Sequence, residues 1–274
     1  MQEPLTKHLL DLLQTAPSDG FVLGGGFALR VKRTHLIKGK IRTLAESERQ
    51  ELPEARATSD LDLFLRIEIF SNRGRGQGLR SAIDQLGYSE RTPKWQFQKP
   101  LSAASRDQEM VLDLLARQPE VGSDVKVNSM RVGSRSGTDL HGLQTIEAFA
   151  VEDRAILCNV FDDGGVVGQV NVAHPFAMLN MKVRASHDWH RFRNGPWPMR
   201  NNQLPPSAKH AFDCSLIVAM LTEPELEDCR DWRLPITIIQ LQPKSDGRPK
   251  FFSVETRIQV GWRAEGRAYL TTTI

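Results

Sequence analysis

The sequence predicts an α+β chain: an α/β half to about residue 173, followed by a half of mixed helical and strand character (174–274). Three observations carry this. Short apolar runs that stop in glycine or polar loops alternate with stretches of helical spacing before residue 173. At Pro175 the pattern changes to two apolar-striped helical segments. Strand character returns in "LPITIIQLQ" and "KFFSVETRIQVGW".

The elements follow in order. "MQEPLTKHLLDLLQTAPSDG" opens the chain as a short amphipathic helix, its leucines interrupted by Asp11, so it is not a signal peptide. "FVLGG" is a short strand stopping in glycine, and "FALRVKR" continues with helical spacing as a brief helix. Residues 38–58 are polar and charged, a connection or an inserted helical excursion. "LDLFLRIEIF" (61–70) alternates at Arg66 and Glu68, which suits a strand, and "GLRSAIDQLGY" (78–88) is a helix ended by Gly87. "KWQFQKPL" (94–101), "EMVLDLLA" (109–116), "DVKVNSMRV" (124–132) and "GQVNVAH" (168–174) are strands, with a helix expected over "LQTIEAFA" (143–150). "PFAMLNMKVRAS" (175–186) and "PSAKHAFDCSLIVAML" (206–221) are helices separated by loops at "NGPWP" and "QLPP".

With 274 residues, 40% hydrophobic and 25% charged, the chain can bury a proper core without staples. Cys158, Cys214 and Cys229 have no paired spacing, which argues against a disulfide framework or a zinc site and fits a reducing cytoplasm. No apolar run approaches membrane-spanning length. A net charge of +3 does not demand a nucleic-acid partner, and no helix-turn-helix or finger signature is present. Two stretches, 30–42 and 182–200, are locally basic, the second with Trp189 and Trp197 interleaved. They are either solvated faces or RNA-gripping surfaces, and the tryptophans either core or stacking residues.

Chemistry concentrates at two places. Gly24, Gly25 and Gly26 lie between a strand and a helix, where backbone N–H groups and the helix N-terminus can receive a phosphate. The run matches neither the dinucleotide fingerprint nor a Walker loop, and read alone it is also a plain tight turn. Asp60 and Asp62 head the next apolar run two residues apart, so on a strand they share a face. They are either a solvated strand end or hard oxygen ligands for Mg²⁺ or Mn²⁺. Ser59 orients a carboxylate or makes a turn. Asp113, a lone charge in "MVLDLL", is the candidate third acid, with a structural arginine pair as the alternative and Glu68 as a competitor.

With these motifs in place, the chain resembles the polymerase-beta type of nucleotidyltransferase, and within it the abortive-infection type E toxin group. The resemblance rests on Gly25-Gly26-Phe27-Ala28-Leu29, then Ser59-Asp60-Leu61-Asp62-Leu63, then Pro175, Lys182 and Ala185 on one helix and Lys209 and Asp213 on another. It implies a nucleotidyltransferase-like mixed sheet flanked by helices. It also implies transfer of a nucleotide from a nucleoside triphosphate to an acceptor with release of pyrophosphate. Asp60, Asp62 and Asp113 would hold Mg²⁺ or Mn²⁺; Gly24, Gly25, Gly26, Ser59, Lys182, Lys209 and Asp213 would bind nucleotide. Transfer RNA is the acceptor the resemblance suggests, with protein and small-molecule acceptors as alternatives, a toxin-like role, and an antitoxin protein as partner. On helical spacing alone, Lys182 is equally a snorkelling lysine, and Lys209 and Asp213 a supporting i,i+4 ion pair. Three departures from the group's pattern stand out: Phe27 occupies a position where a hydroxyl is usual, the arginine before Asp60 is displaced to Arg56, and the connection from Gly26 to Asp60 is long and basic, an insertion suited to meet a partner or an RNA. The rival class is a non-catalytic binding module on the same fold.

Overall fold

The computed structural model describes residues 4–16, 20–45, 52–92, 94–102, 105–119, 125–128, 131–134, 140–145, 151–152, 154–193, 206–230, 236–237, 242–243, 249–250, 255–262 and 268–273. The chain forms two compact units, Met1–Thr222 and Glu223–Ile274.

The first unit is a mixed sheet flanked by helices. Helix α1 (Pro4–Thr15) buries Leu5, His8, Leu9 and Leu12, the i, i+3, i+4, i+7 stripe that its leucine spacing foretells. Strand β1 (Phe21–Gly24) is buried at every residue because it lies between two partners. One is β2 (Asp60–Leu65), antiparallel, with Leu23 opposite Leu63 and Gly24 opposite Asp62. The other is β10 (Gly165–Ala173), parallel, with Leu23 opposite Val172. Between β1 and β2 comes α2 (Gly25–Gly39), longer than the brief helix expected, which packs on β2 and on β9 (Ala155–Asp162) and ends at Lys40 in the left-handed region.

Beyond β2 the order continues through β5 (Ser105–Ala116), parallel to it, and the short strands β8 (His141–Gln144), β7 (Arg131–Ser134) and β6 (Val125–Asn128). Strand β4 (Gln96–Ser102) runs antiparallel to β5 and carries the two-residue β3 (Ser89–Glu90). At the opposite edge β9 (Ala155–Asp162) pairs with β10 through the "DDGG" turn, where Asp162 Oδ1 accepts from the N–H groups of Gly164 and Gly165. That strand was not anticipated, although the turn signal was there to read. Helices α5 (Pro175–Arg193) and α6 (Pro206–Ala219) then pack on each other.

The structure corrects three expectations. The strand over 61–70 stops at Leu65, and Ile67–Ser71 forms one turn of helix, α3, followed by α4 (Arg73–Gln85). Ile69 and Phe70 are neighbours in sequence and both fully buried, which a one-faced strand forbids and a helical turn allows. Glu68 is therefore off the strand that bears Asp62, and its competition with Asp113 ends. The strand over 124–132 is two strands, β6 and β7, with Asn128 facing Arg131. Within the helix expected over 143–150, Leu143 and Gln144 instead belong to β8, paired with Leu115 and Ala116; sheet pairing outweighs the local helical pattern. Residues 146–150 lie outside the described residues.

The second unit contains helix α7 (Glu223–Arg230), the hairpin β14 (Glu255–Trp262) with β15 (Ala268–Thr273), β11 (Ile236–Thr237) beside β14, and a separate pair, β12 (Gln242–Pro243) and β13 (Pro249–Lys250). Of the strand expected over 234–242, the described residues give strand at Ile236–Thr237 and Gln242. Among the described residues no helix is long and apolar enough to cross a membrane.

Candidate active site

Strand β2 alternates Asp60 and Asp62 toward one face with Leu61 and Leu63 into the core. Because β5 runs parallel to β2 in register, Asp113 stands directly beside Asp62. On the far side of β5, Gln96 pairs with Asp113 and hydrogen-bonds its carboxylate. Three acids thus share one patch of sheet.

Their electrostatics are unfavourable as they stand. Burial, then the charge of Asp113, pushes Asp62 up to about 7, and Lys182 only partly offsets this. Burial also raises Asp113, against the Gln96 hydrogen bond, and Asp60 adds to the rise. Asp113 Oδ1 is buried and makes no hydrogen bond among the described residues. An orphaned carboxylate oxygen beside two further acids is what a hard cation would satisfy. Among the described residues no three His, Cys, Asp or Glu side chains are drawn together as a ready-made metal cage. Mg²⁺ does not require one: it keeps several waters and binds through one or two carboxylates plus substrate phosphates.

The glycine turn abuts these acids. Gly25 adopts φ +67°, and a Cβ placed on it would lie 1.7 Å from Asp62 Oδ2. Only glycine satisfies both conditions. At Gly26 a Cβ would meet nothing nearer than the Thr58 side chain at 3.5 Å. Gly24 closes β1 as the N-cap of α2 with no side-chain cap, and no acidic residue occupies the first turn, so the helix N-terminus keeps its donors and partial positive charge. Phe27 is buried in the core, so position 27 offers no polar group. The approach to β2 is pinned locally. Ser59 Oγ donates to Asp60 Oδ1 (3.2 Å), Thr58 Oγ1 accepts from the Asp60 N–H (3.3 Å), and Ser59 O accepts from the Val111 N–H (3.1 Å).

Opposite the acids, α5 and α6 supply a cationic wall. Asp213, 2% exposed at its side chain, accepts from Arg56 Nε at 3.0 Å and Nη2 at 2.9 Å, and from Lys182 Nζ at 2.8 Å. Burial pushes its carboxyl up, but Arg56 and Lys182 outweigh that and hold it below the usual range. The i,i+4 pairing expected between Lys209 and Asp213 gives way to these two partners; Lys209 lines the cleft instead.

Together the two sides enclose a cleft of about 1090 Å³. Gly25, Gly26, Ser59, Asp60 and Asp62 line one side, and Lys182, Arg184, Lys209 and His210 the other, with Met178, Met181 and Trp189 as apolar wall. Of the residues singled out in the sequence, Gly24, Asp113 and Asp213 lie behind the lining, each touching a residue that lines it or standing in register with one. Sequence reading missed Arg56 as the partner of Asp213, and also Thr58 and His210. The displaced arginine was the available signal for the first. Trp197 lies outside the described residues.

No family model matches the chain, and no curated protein matches it. Among solved structures, the solution structure of the antibiotic-resistance factor ANT(2'')-Ia is similar at 15% identity. The match covers 84% of this chain and 91% of that chain, with a TM-score of 0.37.

Proposed function

We propose that the cleft is a metal-dependent nucleotidyl-transfer site. The observation that carries this reading is the register of Asp62 against Asp113, with Asp60 on the same face, set between the Gly25–Gly26 turn and a cationic wall. A bipolar cleft of this kind suits a triphosphate chelated to Mg²⁺: carboxylates for the cation, N–H donors and lysines for the phosphates.

Asp60, Asp62 and Asp113 would hold Mg²⁺ or Mn²⁺. When bound, such a cation neutralises the triphosphate and the leaving pyrophosphate and lowers the cost of ionising an acceptor hydroxyl. The chain's own residues do the rest. Gly25 and Gly26 offer backbone N–H groups to the terminal phosphates, and Ser59 steadies Asp60 through its hydroxyl. Lys182 and Lys209 face the phosphates from the helices, with Asp213 fixing Lys182. Asp113, in register beside Asp62, would take the hydroxyl proton as acceptor oxygen bonds to the α-phosphorus and pyrophosphate leaves.

The cleft volume exceeds that of most small-ligand pockets, which leaves room for part of an acceptor beside the nucleotide. An RNA end, transfer RNA in the first place, is the acceptor implied by the motif resemblance, within a toxin-like role neutralised by an antitoxin protein. The basic run 30–42 is a poor RNA surface, because much of it is used internally. Lys32 is buried, Arg33 donates to the carbonyls of Pro53 and Leu52, and Lys38 donates to Asp162 O. The cleft wall itself, with Arg184, Lys209 and Trp189, is the better candidate.

The buried Phe27 is the observation that favours a non-catalytic nucleotide-binding module instead. One experiment separates the readings. The purified chain is incubated with each labelled nucleoside triphosphate, Mg²⁺ or Mn²⁺ and total cellular RNA, beside Asp60→Ala and Asp62→Ala. Label in a discrete RNA band, lost in both variants, establishes transfer to RNA. Label on the protein moves the acceptor to protein. Triphosphate binding without label leaves the binding module, and neither binding nor label overturns both readings.

A further inference from the structure

Resting on the reading of the cleft as a triphosphate site, we propose that His210 is a further anion-binding residue, one that takes up a proton as the phosphate chain enters. His210 lies on α6 and lines the cleft beside Lys182 and Lys209. The charges that face it are Arg56 from the segment before β2, Lys182 from α5, and Lys209 and Asp213 from its own helix. Three cations surround it against one carboxylate, and that carboxylate is already engaged by Arg56 and Lys182. The imidazole Nδ1 is buried and makes no hydrogen bond among the described residues. Thr145 Oγ1, on a residue lining the same cleft, is likewise buried without a bond. Buried polar atoms left unpaired carry a desolvation cost that an incoming ligand can relieve.

The sign of the effect follows from the charges. In the empty cleft, burial and then the Lys182 ammonium hold His210 down to about 4, against a smaller upward pull from Asp213, so the ring is neutral at neutral pH. A triphosphate brings several negative charges into the same space and offsets the three cations. The charged ring is then favoured: both of its nitrogens become donors, and the ring adds a positive charge to the wall that faces the phosphates. Anion binding is therefore linked to proton uptake and strengthens as pH falls.

The test uses inorganic tripolyphosphate with Mg²⁺ as the probe, titrated calorimetrically into the full chain at pH 6.5 in PIPES and in imidazole buffer. The dependence of the heat on buffer ionisation enthalpy gives the protons taken up. Ionisation of the probe and of the cleft acids is common to wild type and variants and cancels in the comparison. The expected result is that wild type takes up more protons than His210→Gln, by a sizeable fraction of one. His210→Gln should lose roughly 5–10-fold in affinity at pH 6 and less at pH 8. His210→Lys, permanently charged, should restore affinity without the extra uptake. Equal proton uptake in wild type and both variants overturns the inference, and if labelled transfer persists in wild type the transferase reading stands without it. Greater uptake in wild type with no label transfer supports the anion site and removes the transferase. No saturable heat from wild type overturns the inference.

Discussion

Arg56 and Asp213, 157 residues apart in the chain, meet through two parallel N–H···O contacts of 3.0 and 2.9 Å, and Lys182 closes on the same carboxylate at 2.8 Å. A buried carboxylate is tolerable only because both cations satisfy it, and truncating it leaves two cations without their counter-charge. Asp213→Ala should destabilise the first unit by about 3 kcal/mol or more in urea denaturation. Asp213→Asn keeps the shape and should lose less. Because the folded-state pKa is depressed, the carboxylate's contribution is full above the unfolded value near 3.8 and disappears as pH falls through the folded one. The variant and wild-type stabilities should therefore converge in acid; a gap that stays constant below pH 3 would contradict this assignment.

Asp62 has the opposite sign. Its folded-state pKa is raised to about 7, by burial first and then by Asp113, so the fold carries a penalty that grows as pH rises from about 4 to 7. Asp62→Asn should raise the melting temperature at pH 8 and change it little at pH 4. Mg²⁺ should stabilise wild type at pH 8 and leave the variant unmoved, while labelled transfer falls by about 100-fold or more. A melting temperature at pH 8 that drops in the variant would show that the carboxylate is structurally paired.

The two turn glycines should respond differently to alanine. Gly25→Ala forces a side chain into the left-handed region and against Asp62 Oδ2, and should cost about 2 kcal/mol or more along with transfer activity. Gly26→Ala meets only the Thr58 side chain at ordinary contact distance and should fold within about 1 kcal/mol of wild type, with any loss confined to nucleotide affinity. Thermal melts paired with nucleotide titration distinguish the two; equal destabilisation would mean the turn is positioned otherwise.

His8 supplies an acid-sensitive element that is not part of the cleft lining. It packs edge-on against Tyr88, with Lys99 near by, and burial followed by Lys99 lowers it to about 4. The unfolded chain binds the proton more readily between pH 6.5 and 4. Stability should therefore be full above pH 6.5 and fall by about 3 kcal/mol as the pH drops to 4. His8→Leu should flatten that slope, read from urea midpoints at pH 7 and pH 4.5; an unchanged slope would assign the acid limb elsewhere.

What the sequence revealed was local, and what it concealed was set by distant pairing. The Asp60–Asp62 spacing on an apolar strand and the glycine turn depend on two-residue periodicity and on positive φ, which few residues satisfy, so both could be read directly. The α1 leucine stripe was legible for the same reason. Strand β8 was not, because Leu143 and Gln144 follow a helical pattern and become strand only through Leu115 and Ala116. Glu68 matched Asp62 by parity until the chain turned at Arg66, where the buried neighbours Ile69 and Phe70 show a helical turn. Asp213 was singled out by its motif, but its partners come from residue 56 and a neighbouring helix. No spacing along α6 encodes them.

The Arg56–Asp213–Lys182 knot also sets a timetable. As the chain emerges from a ribosome, the three acids are complete once Asp113 is out, yet β1 lacks its parallel neighbour until β10 follows, and Asp213 comes later still. For that interval the nascent chain holds carboxylates while Lys182 and Lys209 have not been synthesised. An acid patch assembled this early has no wall opposite it and no anchored Arg56. If the cleft is the transfer site proposed above, its competence would switch on late, near the end of the first unit's translation, and a fragment halted after residue 173 would lack it.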